Sequence, residues 1–209
     1  MSATEAAVTF WDDVHAARPQ AASPRPNARL VETAADLPPG DALDLGCGNG
    51  GDALWLAGQG WRVTAVDLSA VAVRRLTERA AGAGLGEQVS ARRHDLSRSF
   101  PAGRFDLVTS HYLHTPYELD RATVLRRAAQ ALRPGGRLLV VDHGSTAPWS
   151  WDQGPDVRYP SPTEVAEGLA LDPATWTVDR ADASPRTATG PDGSTAEVTD
   201  HILLVRRTG

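Results

Sequence analysis

The chain contains no lysine: all 21 of its basic residues are arginine. The absence runs through all 209 residues, which reads as compositional bias, and it excludes a lysine base or a lysine Schiff base. Cysteine is nearly as scarce. The single one, Cys47, rules out an intramolecular disulfide framework and fits a reducing compartment. A basic excess is also missing. With a formal net charge of -5, no cationic surface offers itself to nucleic acid or anionic lipid, so the expected partner is a small molecule. No apolar run approaches the ~18 residues of a membrane span, and no basic-then-apolar leader opens the chain. A soluble, cytoplasmic protein with neither nucleic-acid nor membrane partner is the expectation. Repeats, low-complexity tracts and linkers are absent as well, and 209 residues make one α/β domain, short of a nucleotide domain plus a separate substrate domain.

What the chain does have is the stretch Ala42-Leu-Asp-Leu-Gly-Cys-Gly-Asn-Gly-Gly-Asp52, an apolar strand running through a glycine-rich turn into a helix. Gly46, Gly48 and Gly50 allow the backbone to bend sharply and a ligand to touch the main chain. The helix that follows aims its unpaired N–H groups at the same place. This is the first βα unit of a nucleotide-binding fold. Gly46-x-Gly48-x-x-Gly51, with Asp67 about 20 residues on, also satisfies the dinucleotide pattern, so an NAD-dependent oxidoreductase is one reading. Asp44 points elsewhere. A carboxylate at the end of the first strand repels a pyrophosphate and suits a ligand that presents an ammonium group, such as S-adenosylmethionine (SAM).

The Asp44-x-Gly-x-Gly-x-Gly50 form resembles the first motif of the class I SAM-dependent methyltransferases, and the run from Leu43 to Asp67 is most similar to the small tellurite-resistance and thiopurine-type members. The resemblance implies a Rossmann-like α/β fold: a seven-stranded, mostly parallel sheet with an antiparallel final strand and helices on both faces. It implies SAM as cofactor, S-adenosylhomocysteine as product and a small-molecule methyl acceptor. Cofactor contacts carried over are Asp44, Gly46, Cys47, Gly48 and Gly50 in the turn, Asp67 with Leu68 at the ribose, Asp95 with Leu96 at the adenine, and Ser110 with His111 after the fourth strand. Cys47 itself reads as a small residue that the turn requires. A SAM-binding protein without catalysis satisfies the same motifs.

In chain order, Thr4 to Ala17 patterns as an amphipathic helix with Phe10 and Trp11 on its apolar face. Pro19, Pro24 and Pro26 break the chain, and Asn27 caps a helix from Ala28 to about Ala35. Residues 1–40 thus read as a lid or cap segment, ahead of one domain over 41–209. Strands are expected at Arg62–Val66, Val89–Arg93, Phe105–Ser110 and Arg137–Asp142, with Ser69 capping a helix that reaches Ala81. The Arg133-Pro-Gly-Gly136 run reads as a helix stop and chain reversal before the fifth strand, another mark of the same family. Ser161-Pro-Thr-Glu164 is a capping box for a helix to about Leu171. Trp176–Ala183 and His201–Arg207 read as a closing hairpin around a polar excursion with a turn at Gly190-Pro-Asp-Gly193.

Methyl transfer from a sulfonium is an in-line displacement that needs alignment and desolvation, and a base where the acceptor carries a proton. Three of the six histidines, His111, His114 and His143, fall after the fourth and fifth strands. His111 is expected against the cofactor. His114 and His143 are the candidate bases, each equally able to serve as a hydrogen-bonding residue. Trp11, Tyr112, Tyr117, Trp149 and Trp151 are candidate walls of the acceptor site, or ordinary packing, and Arg186 resembles an arginine of the tellurite-resistance group. Three imidazoles raise the question of a metal, and Asp142-His143 resembles the metal-dependent catechol methyltransferases. The further acidic ligands are missing after strand four, so no metal is expected.

Overall fold

The structure, a computed structural model, describes residues 3–17, 24–150, 158–190 and 192–209. Seven strands form one sheet: Asp41–Leu45 (β1), Arg62–Asp67 (β2), Val89–Arg93 (β3), Phe105–His111 (β4), Leu132–His143 (β5), Trp176–Thr189 (β6) and Thr195–Arg207 (β7). Their order is β3-β2-β1-β4-β5-β7-β6. The pairs among β1 to β5 are parallel, and β7 runs antiparallel to both β5 and β6. This is the fold class that the motifs imply. Central strands such as Ala42-Leu-Asp-Leu45 are apolar almost throughout because helices cover both faces.

Ala28–Ala34 (α2), Gly51–Gly58 (α3) and Ala70–Gly82 (α4) pack on one face, where Leu30, Leu56 and Leu76 meet Ala42, Val63 and Leu107. Arg121–Gln130 (α5) and Pro162–Leu169 (α6) cover the other, where Val124, Leu125 and Leu169 meet Leu43, Val108 and Val140. Asn27, Ser69 and Ser161 cap their helices as the sequence predicts, and Glu164 closes the capping box on Ser161. Ala3–Ala17 (α1) lies outside the sheet layers and touches α4, where the Asp12 carboxylate accepts hydrogen bonds from Ser69 Oγ (2.6 Å) and Val71 N (3.1 Å).

Two expectations change. The Arg133-Pro-Gly-Gly136 run does not precede the fifth strand. Leu132 already opposes Phe105, and the run forms an irregularity inside β5 before Arg137 pairs with Leu107, with Gly135 at φ +82°. The closing hairpin is also far longer than its apolar ends suggest, paired out to Thr189 and Thr195. Toward its tip one face is exposed, with Thr187, Thr189, Thr195 and Glu197, and the other is half-buried under the small Ala188 and Ala196. Polar and small residues thus occupy strand positions where no strong apolar alternation marks a strand.

Candidate active site

A cavity of about 1080 Å³ opens at the carboxyl ends of β1, β2, β4 and β5, the edge where open α/β sheets bind ligands. Gly46, Gly48, Asp67, Leu68, Asp95, Leu96, His111, Tyr112, His114 and His143 line it, and Trp11 and Tyr117 roof it. The glycines behave as a cradle. Gly48 adopts φ +48°, and a Cβ there would meet nothing nearer than His15 Cε1, at 3.6 Å, which leaves room beside it on the cavity wall. Asp67 is held by the turn it faces: its oxygens accept from Gly48 N and Ser69 N, both at 2.9 Å. Asp95 caps its own loop through Ser97 and keeps Oδ2 without a hydrogen bond among the described residues.

Asp44 and Ser110 lie behind the cavity wall, at 2% and 0% exposure. Asp44 Oδ1 accepts from Thr109 Oγ1, whereas Asp44 Oδ2, Ser110 Oγ and His111 Nε2 have no hydrogen-bond partner among the described residues. Buried polar atoms of this kind are costly unless something satisfies them. Burial pushes the Asp44 carboxyl up to about 7, with the nearby Asp52 charge adding to it. His111 Nδ1 stands 2.7 Å from Asp52 Oδ2. Burial works against the imidazolium, but the Asp52 bond and charge prevail and raise its pKa. The cradle, the unsatisfied atoms under it and the two carboxylates beyond it fit a cofactor with an amino-acid end, a ribose and an adenine.

At the far end, His114 Nε2 lies 3.3 Å from Asp142 Oδ1, an ion-pair distance at an angle short of a hydrogen bond, while Arg121 binds Asp142 Oδ2. Burial alone would raise Asp142, but His114 and Arg121 hold it below the ordinary carboxylate range. The His143 ring stacks between neighbours, 4.4 Å from Tyr112 and 5.7 Å from His114 by centroids. Burial, and then the His114 charge, push His143 below the usual imidazole value.

Several candidates sit elsewhere. The Cys47 side chain is turned into the core, where burial drives its thiol well up, so it reaches the cofactor side only through its backbone. A Cβ on Gly50 would strike Leu76 Cδ1 at 2.5 Å; this glycine makes room for helix packing, caps α3 and does not line the cavity. Trp149 packs on Gly190, away from the cavity. Arg186 turns its guanidinium onto Asp200 (2.9 and 3.0 Å) and the Tyr112 hydroxyl (3.2 Å) and does not line the cavity. Trp151 lies outside the described residues. Sequence reasoning passed over His15, Asp52, Arg121, Tyr159 and Asp200. Only His15 left a signal, following Ala7 and Trp11 at helical spacing. Among the described residues no group of three His, Cys, Asp or Glu side chains is arranged to hold a metal ion.

Known proteins share this architecture. A family model described as a methyltransferase domain matches residues 42–136. The 27-O-demethylrifamycin SV methyltransferase of Amycolatopsis mediterranei is 36% identical over 141 residues, covering 64% of this chain and 49% of the relative. The chain spans about half the length of two curated methyltransferases that it matches, 49% and 48%. Among solved structures, one reported with the conversion of a disulfide bond into a thioacetal group during echinomycin biosynthesis superposes with a TM-score of 0.69 at 30% identity, covering 96% of this chain and 92% of that one. TehB from Haemophilus influenzae shares the fold, with a TM-score of 0.69 at 20% identity, covering 94% of this chain and 67% of that one. A sheet with a reversed seventh strand, a glycine turn followed by Asp67, a methyltransferase family model over residues 42–136 and a solved structure 30% identical over nearly the full chain lead to one assignment: the chain belongs to the class I SAM-dependent methyltransferases.

Proposed function

We propose that the protein transfers a methyl group from SAM to a proton-bearing nucleophile of a small-molecule acceptor, in the cytoplasm, with neither nucleic acid nor membrane as partner. The observation that carries this is one cavity with the Gly46–Gly48 cradle at one end and the His114–Asp142 pair at the other. Bound SAM supplies an activated methyl group, so the protein's own residues have to bind, orient, exclude water and move a proton. Asp67 and Asp95 hold the ribose and adenine, each with acceptor capacity beyond its present bonds. Asp44 and His111 take the amino-acid end, where opposite charges are required. His114 removes the acceptor's proton, and Asp142, fixed by Arg121, orients the imidazole and stabilises its cationic form. Within residues 1–40, α1 acts as the lid, whereas α2 belongs to the helix layer on the sheet: α1 contributes Ala7, Trp11 and His15 to the cavity roof, and Trp11 Nε1 donates to Thr115 Oγ1 across it (3.2 Å).

The names of the relatives favour oxygen or sulfur as the nucleophile, one being an O-demethylrifamycin methyltransferase and the other tied to a disulfide-to-thioacetal conversion. A panel of phenols and thiols with methyl-labelled SAM tests the reading, alongside calorimetry with SAM and NADH. SAM binding plus label transfer to at least one acceptor is expected. Tight SAM binding without transfer to any acceptor would leave a non-catalytic SAM-binding protein as the better description, and NADH binding in its place would sink the cofactor assignment.

A further inference from the structure

Tyr112 carries the most unusual backbone at the site. It is one of two non-glycine residues with positive φ among the described residues, at +52°. For a bulky aromatic this is an outlier, and it persists only when the surroundings hold it. They do so from three sides. Its N–H donates to Val141 O (2.8 Å), which continues the β4–β5 ladder by one residue. Its hydroxyl donates to Asp200 Oδ1 (2.8 Å), a carboxylate only 1% exposed that is ion-paired with Arg186 and, at 3.5 Å, with Arg29 of α2. Its ring stacks on His143, 22° from parallel. The bend also has a product: the Tyr112 carbonyl accepts from His114 N at 2.8 Å, a tight reversal that brings the His114 imidazole back toward Asp142. Asp200 sits directly across from His143 in the β5–β7 ladder, so the anchor and the ring it steadies belong to one register.

We propose that Tyr112 is the positioning residue of the acceptor site: tethered by its phenol to Asp200 and Arg186 of the final hairpin, it sets His143 by stacking and His114 by the turn at its carbonyl. On this account the closing hairpin is part of the site although it contributes no wall to the cavity. Arg186 thereby has a role that its position in sequence did not suggest. The simpler alternative is that the phenol only ties the hairpin to the sheet.

The proposal rests on the methyl-transfer reading for what the imidazoles do, but not for how they are held. Its first test therefore uses the protein without cofactor or acceptor. In Tyr112→Asn the side chain still tolerates a left-handed backbone and the ring is lost. NMR titration should show His143 moving up toward the ordinary imidazole value, with loss of the upfield ring-current shift on its carbon-bound protons. The second test uses Tyr112→Phe, which keeps the ring and removes the tether. With any acceptor found by label transfer, kcat should fall by about tenfold to a hundredfold, as expected for a small misplacement of reacting groups, while SAM affinity stays within about twofold. A folded Tyr112→Asn with an unchanged His143 titration overturns the proposal. So does Tyr112→Phe with wild-type kcat and only a lowered melting temperature. If the wild type turns over no acceptor, the methyl-transfer reading fails alone and the histidine titration decides this one.

Discussion

His114 and Asp142 reach the same point from the ends of neighbouring strands, Nε2 to Oδ1 at 3.3 Å, while Arg121 holds the other carboxylate oxygen. An imidazole so placed has a fixed orientation and a fixed counter-charge on the side away from the acceptor. His143, which the sequence ranks beside it as a candidate base, has no carboxylate at ion-pair distance among the described residues; it is stacked, and burial lowers its pKa.

The two histidines should therefore behave differently. His114→Gln is expected to lower kcat by about 10² to 10⁴, the usual cost of losing a general base, with SAM affinity nearly unchanged and the acidic limb of the kcat/KM profile gone. His143→Gln should keep that limb. The roles are wrong if His143→Gln alone removes the limb, and base catalysis is wrong if both variants keep wild-type kcat and pH profile.

Asp67→Ala should weaken SAM binding more than tenfold by calorimetry, since a hydrogen bond to a charged group is worth about 1.5 to 3 kcal/mol. It should also lower the melting temperature, because the carboxylate holds the N–H groups of Gly48 and Ser69 in the free protein. A stable variant with unchanged SAM affinity would remove Asp67 from the cofactor site.

At Gly48 the space and the backbone make separate demands. A Cβ clears its neighbours, so Gly48→Ala should fold, at a cost of about 1 to 2 kcal/mol for its left-handed backbone. Its methyl group projects toward the ligand space, and Gly48→Val fills that space further. Affinity for SAM should fall from glycine to alanine to valine. Equal affinity across the three, measured by titration on folded protein, would mean that the turn is not the cradle.

Stability should depend on pH through three buried groups, in two directions. Asp142 lies below its ordinary range when folded, so its contribution is complete above about pH 4, the unfolded carboxylate value, and disappears as pH falls through the folded value. His111 is raised, so its contribution is complete below about pH 6.5 and is lost as pH climbs through its folded value. Asp44 is raised to about 7, so folding favours its protonated form, and stability declines as pH rises from the unfolded value toward 7. Asp44→Asn removes this last contribution. Its melting temperature relative to wild type should rise between pH 5 and pH 8, by about 2–4 °C for each kcal/mol gained. Parallel melting curves for the two proteins over that range would show that Asp44 ionises freely in the folded state.

How much of the site could be read from sequence varies residue by residue. The place of Asp67 at the turn was legible because a strand, a glycine turn and a helix of fixed length bring a carboxylate to one place, whatever the rest of the chain does. The place of Gly48 on the cavity wall was legible for the same reason; Gly50 satisfies the same motif, and only the position of Leu76 shows that its missing side chain makes room for helix packing. Arg186 was noticed and misassigned, because a guanidinium reaches far enough to serve either the cavity or a buried carboxylate, and Asp200 is 14 residues away along the chain.

By itself the sequence determined the architecture and the meeting of the glycine turn with Asp67 at one sheet edge, since both rest on local rules: apolar strand runs, caps at Asn27, Ser69 and Ser161, and a turn whose glycines and acids are close neighbours in the chain. Only the tertiary structure decided the acceptor end. The stacking of His143 near His114, the Asp52–His111 pair and the Tyr112–Asp200 tether bring together residues 29 to 88 positions apart, on elements that meet only in the finished sheet. Charge pairing and burial depend on distance in space, and no periodicity along a chain encodes which carboxylate will face which imidazole.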